Sequence, residues 1–315
     1  MPRPLLAIVG PTAAGKSEVG LLLAEALAGE IVSADSMQVY RGMDIGTAKP
    51  SPEERARVRH HLIDIIDPDT PFSVADYRAR ADAALAAIWE EGRLPLLVGG
   101  SGLYVRALID ELSFPLAPPN AELRRRLAQQ AREEGVGALH ARLATIDPEA
   151  AVRIHPNDAK RIIRALEVHA LTGQPISRLQ SLDRRFQARY NTRQFGLTRP
   201  RPELYRRIEE RVDRMLAAGL VEEVKTLLAR GCTADLVAMK GLGYAQIAEH
   251  LRGACSLEEA VARLKRDTRR FAKRQLTWFR RDPRIVWIDL ANLGGPEQVV
   301  EWIQCRWRER CAAGE

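Results

Sequence analysis

Leu5-Leu6-Ala7-Ile8-Val9-Gly10-Pro11-Thr12-Ala13-Ala14-Gly15-Lys16-Ser17 is the stretch that decides the fold. An apolar run suited to a buried strand leads straight into G-x-x-x-x-G-K-S, and from residue 17 to 27 the apolar spacing becomes helical. Strand, glycine loop and helix in that order are the setting a phosphate-binding loop requires. The glycines let backbone N–H groups curl around a phosphate chain. The start of the helix adds its positive end, and Lys16 adds a point charge. The Ser17 hydroxyl suits a magnesium ion. A bound polyphosphate is therefore the first functional expectation.

The same alternation continues downstream. Strands are expected at 30–33, 62–66 and 94–98, and Ser73 reads as the N-cap of a helix reaching Glu91, with Asp76 at the capping-box position and Gly92 as the stop. Such βα alternation means an α/β class with a parallel sheet and helices on both faces. After Pro115-Leu116-Ala117-Pro118-Pro119 the strand signals cease, and helices are expected at 121–134, 136–144 and 158–171. A strand at 193–197, helices between 202 and 281 and a last strand at 284–288 follow. The chain thus divides into a core, 1–117 with 193–315, and an all-helical insertion, 118–192.

Composition narrows the class. At 315 residues and 46% hydrophobic the chain is globular and not disordered. No apolar run approaches the ~20 residues of a membrane span. Met1-Pro2-Arg3-Pro4 runs directly into the first strand, which reads as no signal peptide and a cytoplasmic protein. Cys232, Cys255, Cys305 and Cys311 form no C-x-x-C pair, and the six histidines show no zinc spacing; adjacent His60 and His61 would point apart in a strand. The net charge is +7, but it is local. Residues 263–284 hold ten cations against Asp267 and Asp282, a charge of +8 that leaves the rest of the chain at −1. That concentration is expected of a docking surface for a polyanion. Within it Leu264, Phe271 and Phe279 fall near helical spacing and are expected to face a core, whereas Trp278 has no obvious place.

In open parallel sheets ligands sit beyond the carboxyl ends of the strands. Three polar segments fall there: the glycine loop, Ser33-Ala34-Asp35-Ser36-Met37-Gln38, and Gly99-Gly100-Ser101-Gly102. Asp35 could accept a proton or hold a metal-bound water, although Asp also serves as a turn or capping residue. Ser101 could touch a phosphate or merely cap a helix. The apolar strand with a terminal magnesium-binding Asp, common in hydrolytic switches, is missing, because 96–98 ends in Gly99 and 62–67 is interrupted by Asp64.

Together with the loop, Asp35-Ser36-Met37-Gln38-Val39-Tyr40-Arg41-Gly42-Met43-Asp44-Ile45-Gly46-Thr47-Ala48-Lys49-Pro50, Gly99-Gly100-Ser101-Gly102-Leu103-Tyr104, Ala159-Lys160-Arg161-Ile162-Ile163-Arg164-Ala165-Leu166-Glu167 and Lys273-Arg274-Gln275-Leu276-Thr277-Trp278-Phe279-Arg280 resemble the bacterial tRNA dimethylallyltransferase (tRNA isopentenyltransferase) family. The resemblance runs from about residue 5 to 281. It implies a P-loop kinase-like α/β core carrying a helical insertion, Mg2+ as cofactor, and transfer of a dimethylallyl group from dimethylallyl diphosphate to N6 of adenosine 37 in the tRNA anticodon stem-loop. It implies that the loop grips the donor's diphosphate. It places tRNA contacts at Asp35, Ser36, Met37, Gln38, Ser101, Leu123, Ala159, Lys160, Arg161, Ile162, Ile163, Lys240, Gly241, Leu242, Gly243, Tyr244 and Ala245. Lys273, Arg274, Gln275, Leu276, Thr277, Trp278, Phe279 and Arg280 complete that set. Arg211, in Arg207-Ile208-Glu209-Glu210-Arg211, matches a family arginine acting on the diphosphate, and Ser101 stands where most members carry Thr. On this reading Asp35 is the candidate base, while Lys16, Ser17-bound magnesium, Ser101 and Arg211 neutralise the leaving group. No membrane and no obligate protein partner are implied, with a monomer as the default. An ATP-dependent phosphotransferase using the insertion as a lid stays open; formation of ADP would mark it.

Overall fold

In the computed structural model, which describes residues 3–110, 120–181 and 188–313, β1 (Pro4–Val9) lies inside a six-stranded sheet in which every pairing is parallel. Its neighbours are β4 (Pro95–Gly99) and β5 (Asn191–Thr198), flanked by β2 (Glu30–Ala34) and then β3 (His60–His61) on one side and β6 (Ile285–Asp289) on the other. Successive strand residues point to opposite faces. Leu6 and Ile8 accordingly enter one core and Leu5, Ala7 and Val9 the other. A sheet buried on both faces needs such continuous apolar strands.

The connections supply α1 (Lys16–Ala26), α2 (Pro52–Arg57), α3 (Val74–Glu90) and α4 (Gly102–Ile109). The second unit holds α5 (Ala121–Glu133), α6 (Val136–Ile146), α7 (Pro148–Arg153), α8 (Ala159–Thr172) and α9 (Ile176–Ser181). After β5 come α10 (Arg201–Ala217), α11 (Leu220–Ala229), α12 (Tyr244–Leu251), α13 (Leu257–Phe279), α14 (Leu290–Leu293) and α15 (Pro296–Ala313). Val19 and Leu23 of α1 pack with Val299 and Ile303 of α15 on one sheet face. Tyr77, Ala81 and Leu85 of α3 pack with Leu108 of α4 on the other. The start of α3 forms as its sequence predicts: Ser73 Oγ accepts the Asp76 N–H, and Asp76 accepts the Ser73 N–H.

The chain packs as two compact units, Met1–Ile109 with Arg189–Glu315 and Asp110–Ala188. The prolines at 115–119, where the sequence pattern changes, lie outside the described residues. The helical unit has its own core of Leu127, Leu139, Leu143, Ile162, Leu166 and Val168. Glu167 is among the carboxylates buried in this unit. It is held by Nε and Nη2 of Arg124, by Arg164 and by the Asn120 N–H, which answers its charge and lone pairs together.

The strand expected at 62–66 does not form, and β3 stops at His61. Leu62 and Asp64 adopt left-handed backbone (φ 65° and 58°), which breaks any ladder. The segment instead bonds irregularly to 38–41, with the Asp64 N–H donating to the Gln38 carbonyl and the Ile65 N–H to that of Val39. Two cations drive this conformation: Lys49 and Arg55 reach Asp64 at 2.5 and 2.8 Å. Burial pushes the Asp64 carboxyl up, but those hydrogen bonds outweigh it and hold the group below the usual carboxylate range. Among the described residues no helix is long and apolar enough to cross a membrane.

Strand spacing at the rim sets a strict size limit. A Cβ on Gly99 would lie 2.2 Å from the Ala34 carbonyl oxygen of the neighbouring strand. Gly99→Ala is expected to destabilise the fold by about 1–3 kcal/mol through forced separation of β2 and β4. Urea denaturation measures it, and an unchanged midpoint would refute the close approach.

Candidate active site at the strand ends

The glycine loop leaves β1 at Gly10, whose φ is +138° and where a Cβ would stand 2.4 Å from the Leu197 carbonyl oxygen. Gly15, at φ +108°, opens α1. Both positions exclude a side chain. Two arginines hold the loop from behind: Arg199 Nε donates to the Ala14 carbonyl (3.2 Å) and Arg207 Nε to that of Ala13 (3.1 Å). Lys16 Nζ donates to the Pro11 carbonyl at 2.7 Å. Burial, and then the nearby Arg211 charge, push the Lys16 ammonium down to about 7, against the opposing pull of Asp35. The Arg211 guanidinium is likewise lowered by burial, with Asp35 opposing.

Beyond β2, Asp35 Oδ1 accepts the Met37 N–H (2.8 Å), so the turn role open to this residue is one it does fill. Its charge nevertheless reaches Lys16 and Arg211, which a turn alone does not require. Ser101 Oγ accepts the Ser36 N–H (2.9 Å) and lies 3.2 Å from Ser36 Oγ, joining the turns after β2 and β4. Gln38 Oε1 accepts the Ser33 hydroxyl, while its Nε2 donates to the carbonyls of Thr47 and Ala48.

Two adjoining cavities share a wall of Thr12, Asp35, Thr47, Arg211 and Phe271. The smaller, about 90 Å3, is lined by Lys16, Ser17, Gln38 and Gln275. The larger, about 370 Å3, is lined by Ser101, Lys240, Gly241, Tyr244 and Arg274. The glycine-loop residues Lys16 and Ser17 thus border one chamber and the other opens beside it, with Asp35 common to both. Phe271 corrects an expectation. Leu264 and Phe279 are buried, but Phe271 is half-buried and lines the cavities, because its turn of α13 faces the strand ends instead of the sheet.

The remaining residues assigned by resemblance fall into distinct groups. Met37 touches Gly241, where a Cβ would lie 2.4 Å from the methionine Cε, and Leu242 and Gly243 continue the wall of the larger cavity. Ala245 follows in α12. On α13 Lys273, Arg274, Thr277 and Trp278 are exposed, as is Arg280 at its cap; Leu276 is half-buried, and Gln275 and Phe279 are buried. In the helical unit Lys160 and Arg161 are exposed and Ala159 is intermediate. Ile162 is fully buried there, and Leu123 and Ile163 pack against the same core, so these three serve its packing.

Glu223 was invisible in the sequence. From the first turn of α11 its carboxylate accepts three consecutive N–H groups, those of Asp44 (2.9 Å), Ile45 (2.8 Å) and Gly46 (3.1 Å), and the Tyr244 hydroxyl at 2.6 Å. The Tyr244 ring fills the space where Gly46 would carry a Cβ, at 2.6 Å. Burial, together with Glu223, pushes the Tyr244 phenol far up, so it stays a donor. The signal that could have found this pair is the glycine at 46, which only makes sense against a bulky neighbour.

Two outcomes follow from this geometry. Glu223→Gln puts an amide N–H2 against backbone donors and is expected to lose about 1–3 kcal/mol of stability, read by urea denaturation; no loss would mean the loop holds itself. Lys16 sheds its proton as pH rises through about 7 in the free protein, and a bound polyanion restores it. Calorimetric affinity for inorganic diphosphate in metal-free buffer is therefore expected to fall with rising pH above 7 up to about tenfold per pH unit more steeply than in Lys16→Met. Parallel pH profiles would show Lys16 charged throughout.

A family model described as IPP transferase matches residues 38–282. A curated protein named tRNA dimethylallyltransferase, from Desulforudis audaxviator, is 57% identical over 94% of this chain and 95% of its own. Another of that name, from Pelotomaculum thermopropionicum, is 52% identical over 99% and 97%. The crystal structure of a tRNA isopentenylpyrophosphate transferase from Bacillus halodurans is 44% identical, covers 99% of each chain and superposes with a TM-score of 0.70. A eukaryotic dimethylallyltransferase solved acting on tRNA shares 26% identity, with a TM-score of 0.78 over 91% of this chain and 74% of its own. With a family model spanning most of its length and relatives this similar from end to end, the chain belongs to the IPP transferase family.

Proposed function

We propose that the chain transfers a dimethylallyl group from dimethylallyl diphosphate to N6 of adenosine 37 beside the tRNA anticodon. The observation that carries this reading is Asp35 on the wall shared by a phosphate-lined cavity and a larger neighbour. The smaller cavity takes the diphosphate against Lys16, Ser17 and the start of α1. The larger takes the adenine, extruded from the anticodon loop. An exocyclic amine is a weak nucleophile, so holding it against the allylic carbon is the first requirement. The N6–C1 bond then forms as the C1–O bond breaks; the electron pair leaves with diphosphate and the N6 proton passes to Asp35. Arg211, Lys16 and Ser101 meet the charge that grows on the leaving oxygen.

A divalent cation fits this set. Among the described residues no cluster of three His, Cys, Asp or Glu side chains offers a cage. The Ser17 hydroxyl, with diphosphate oxygens and water, matches the sparse protein coordination Mg2+ prefers. Bound there, Mg2+ would supply charge neutralisation on the diphosphate. We place the protein in the cytoplasm as a monomer.

Incubation with dimethylallyl diphosphate, Mg2+ and an unmodified anticodon stem-loop, followed by mass spectrometry of the RNA, is expected to show one added C5H8 unit; unaltered RNA with ATP turned over to ADP would overturn the reading. Asp35→Asn keeps the acceptor for Met37 and is expected to cut turnover about 10²–10⁴-fold while leaving RNA affinity within about threefold. Replacing Lys273 and Arg274 with Ala is expected to lower the slope of log affinity against log salt by about one to two. If filter binding gave the wild-type slope, these charges would be solvated only.

A further inference from the structure

Gln275 belongs to the stretch that the resemblance assigns to RNA, but its side chain turns inward and is 7% exposed. Its Oε1 accepts the Thr12 N–H at 2.8 Å and its Nε2 donates to the Gly100 carbonyl at 2.9 Å. A Cβ on Gly100 would stand 2.4 Å from that Nε2, so glycine is what admits the amide. Thr12 lies in the phosphate loop after β1 and Gly100 in the turn after β4, and those strands are paired neighbours. The next residue, Ser101, holds the Ser36 N–H beside Asp35. A single primary amide thereby ties the loop to the turn that carries Ser101, next to the segment after Asp35. The bond pair needs an acceptor and a donor on one planar group, which Gln has. Glu would bring a charge against the Gly100 carbonyl, and Met offers neither function.

Resting on the prenylation reading above, we infer that Gln275 is a positioning residue for the diphosphate half of the site and not an RNA contact. Exposed Lys273 and Arg274, its neighbours in sequence, occupy another face of the same helix. The helix therefore divides its labour by face: one meets the RNA, the other fixes the width of the phosphate cradle.

The test separates donor from acceptor. In Gln275→Met, KM for dimethylallyl diphosphate and the calorimetric Kd for inorganic diphosphate with Mg2+ are expected to rise about 5–20-fold, with KM for the stem-loop within about twofold. Gln275→Glu, which keeps the acceptor for Thr12 but sets a negative charge against the Gly100 carbonyl and the diphosphate, is expected to raise the donor KM and the diphosphate Kd at least as far as Gln275→Met. Lys273→Ala is expected to give the reverse pattern. A stem-loop KM that rises as much as the donor KM, or a donor KM and diphosphate Kd that do not move, would overturn the assignment. Should Gln275→Met lose its cooperative melt, Gln275→Glu is judged by the same two criteria. A wild-type chain that binds no diphosphate would sink the prenylation reading along with the clamp, whereas the reverse pattern in the variants sinks only the clamp.

Discussion

Lys16 and Arg211 border one cavity, and Asp35 is the carboxylate whose charge reaches them both. Burial disfavours both cations, and Lys16 sheds its proton near pH 7 in the free site, so its full charge returns only when a negative ligand is bound. The start of α1 adds further positive potential at Lys16. In the proposed function a pair of linked phosphoryl groups would supply that negative charge. In the proposed reaction, negative charge on those groups grows as the allylic C–O bond breaks, so the same cations would favour the transition state over the bound donor. The sheet order matters because it delivers the three segments to one rim: β1, β4 and β2 are consecutive neighbours, and each ends in one of them.

Such a site works only if its donors do not relax toward each other, and the loops are held accordingly. Gln38 ties the 47–48 loop to the end of β2, Glu223 takes the three amides at 44–46, and Arg199 and Arg207 hold loop carbonyls. Most of these ties reach loop backbone from elements far away in the chain. Backbone amides and carbonyls held at both ends leave little freedom to reorganise during the reaction, which is where preorganised electrostatics gain their effect. Glycines at 10, 99 and 100 do the complementary work of admitting these close approaches.

How much of this was legible in the sequence depends on the range of the interaction. The phosphate loop, Asp35 and Ser101 could be read because each follows its own strand, and strand polarity alone puts them on one rim. The capping box at Ser73 and Asp76 is local and formed as read. The segment at 62–66 misled because its apolar run is real, while the cations that meet Asp64 sit 15 and 9 positions back, at Lys49 and Arg55, where no strand periodicity shows them. Glu223 and Gln275 were illegible because the backbone groups they hold lie 177 or more and 175 or more positions away. Motif matching recovers a residue's neighbourhood; it does not recover which way the side chain turns.

The basic run at 263–284 shows that limit in charge. Counted along the chain it is almost unopposed, but α13 meets acids from other helices. Arg263 pairs with Glu249, Lys265 with Asp213 and Arg269 with Glu209, while Asp267 serves Arg266 and Arg270, and Asp282 serves Arg284. Among the described residues Lys273, Arg274, Arg280 and Arg281 have no ion-pair partner. The charge left without an ion-pair partner therefore gathers at the C-terminal end of the helix, where cations also oppose the negative end of its dipole. Trp278, 40% exposed, sits among them with its ring where a Cβ of Gly102 would be, and Leu103 beside it is 47% exposed. Gly102 adjoins Ser101, so the surface that retains free charge is the one that borders the catalytic rim. In the proposed function, an RNA held by those cations would be brought to the larger cavity by the helix that lines it.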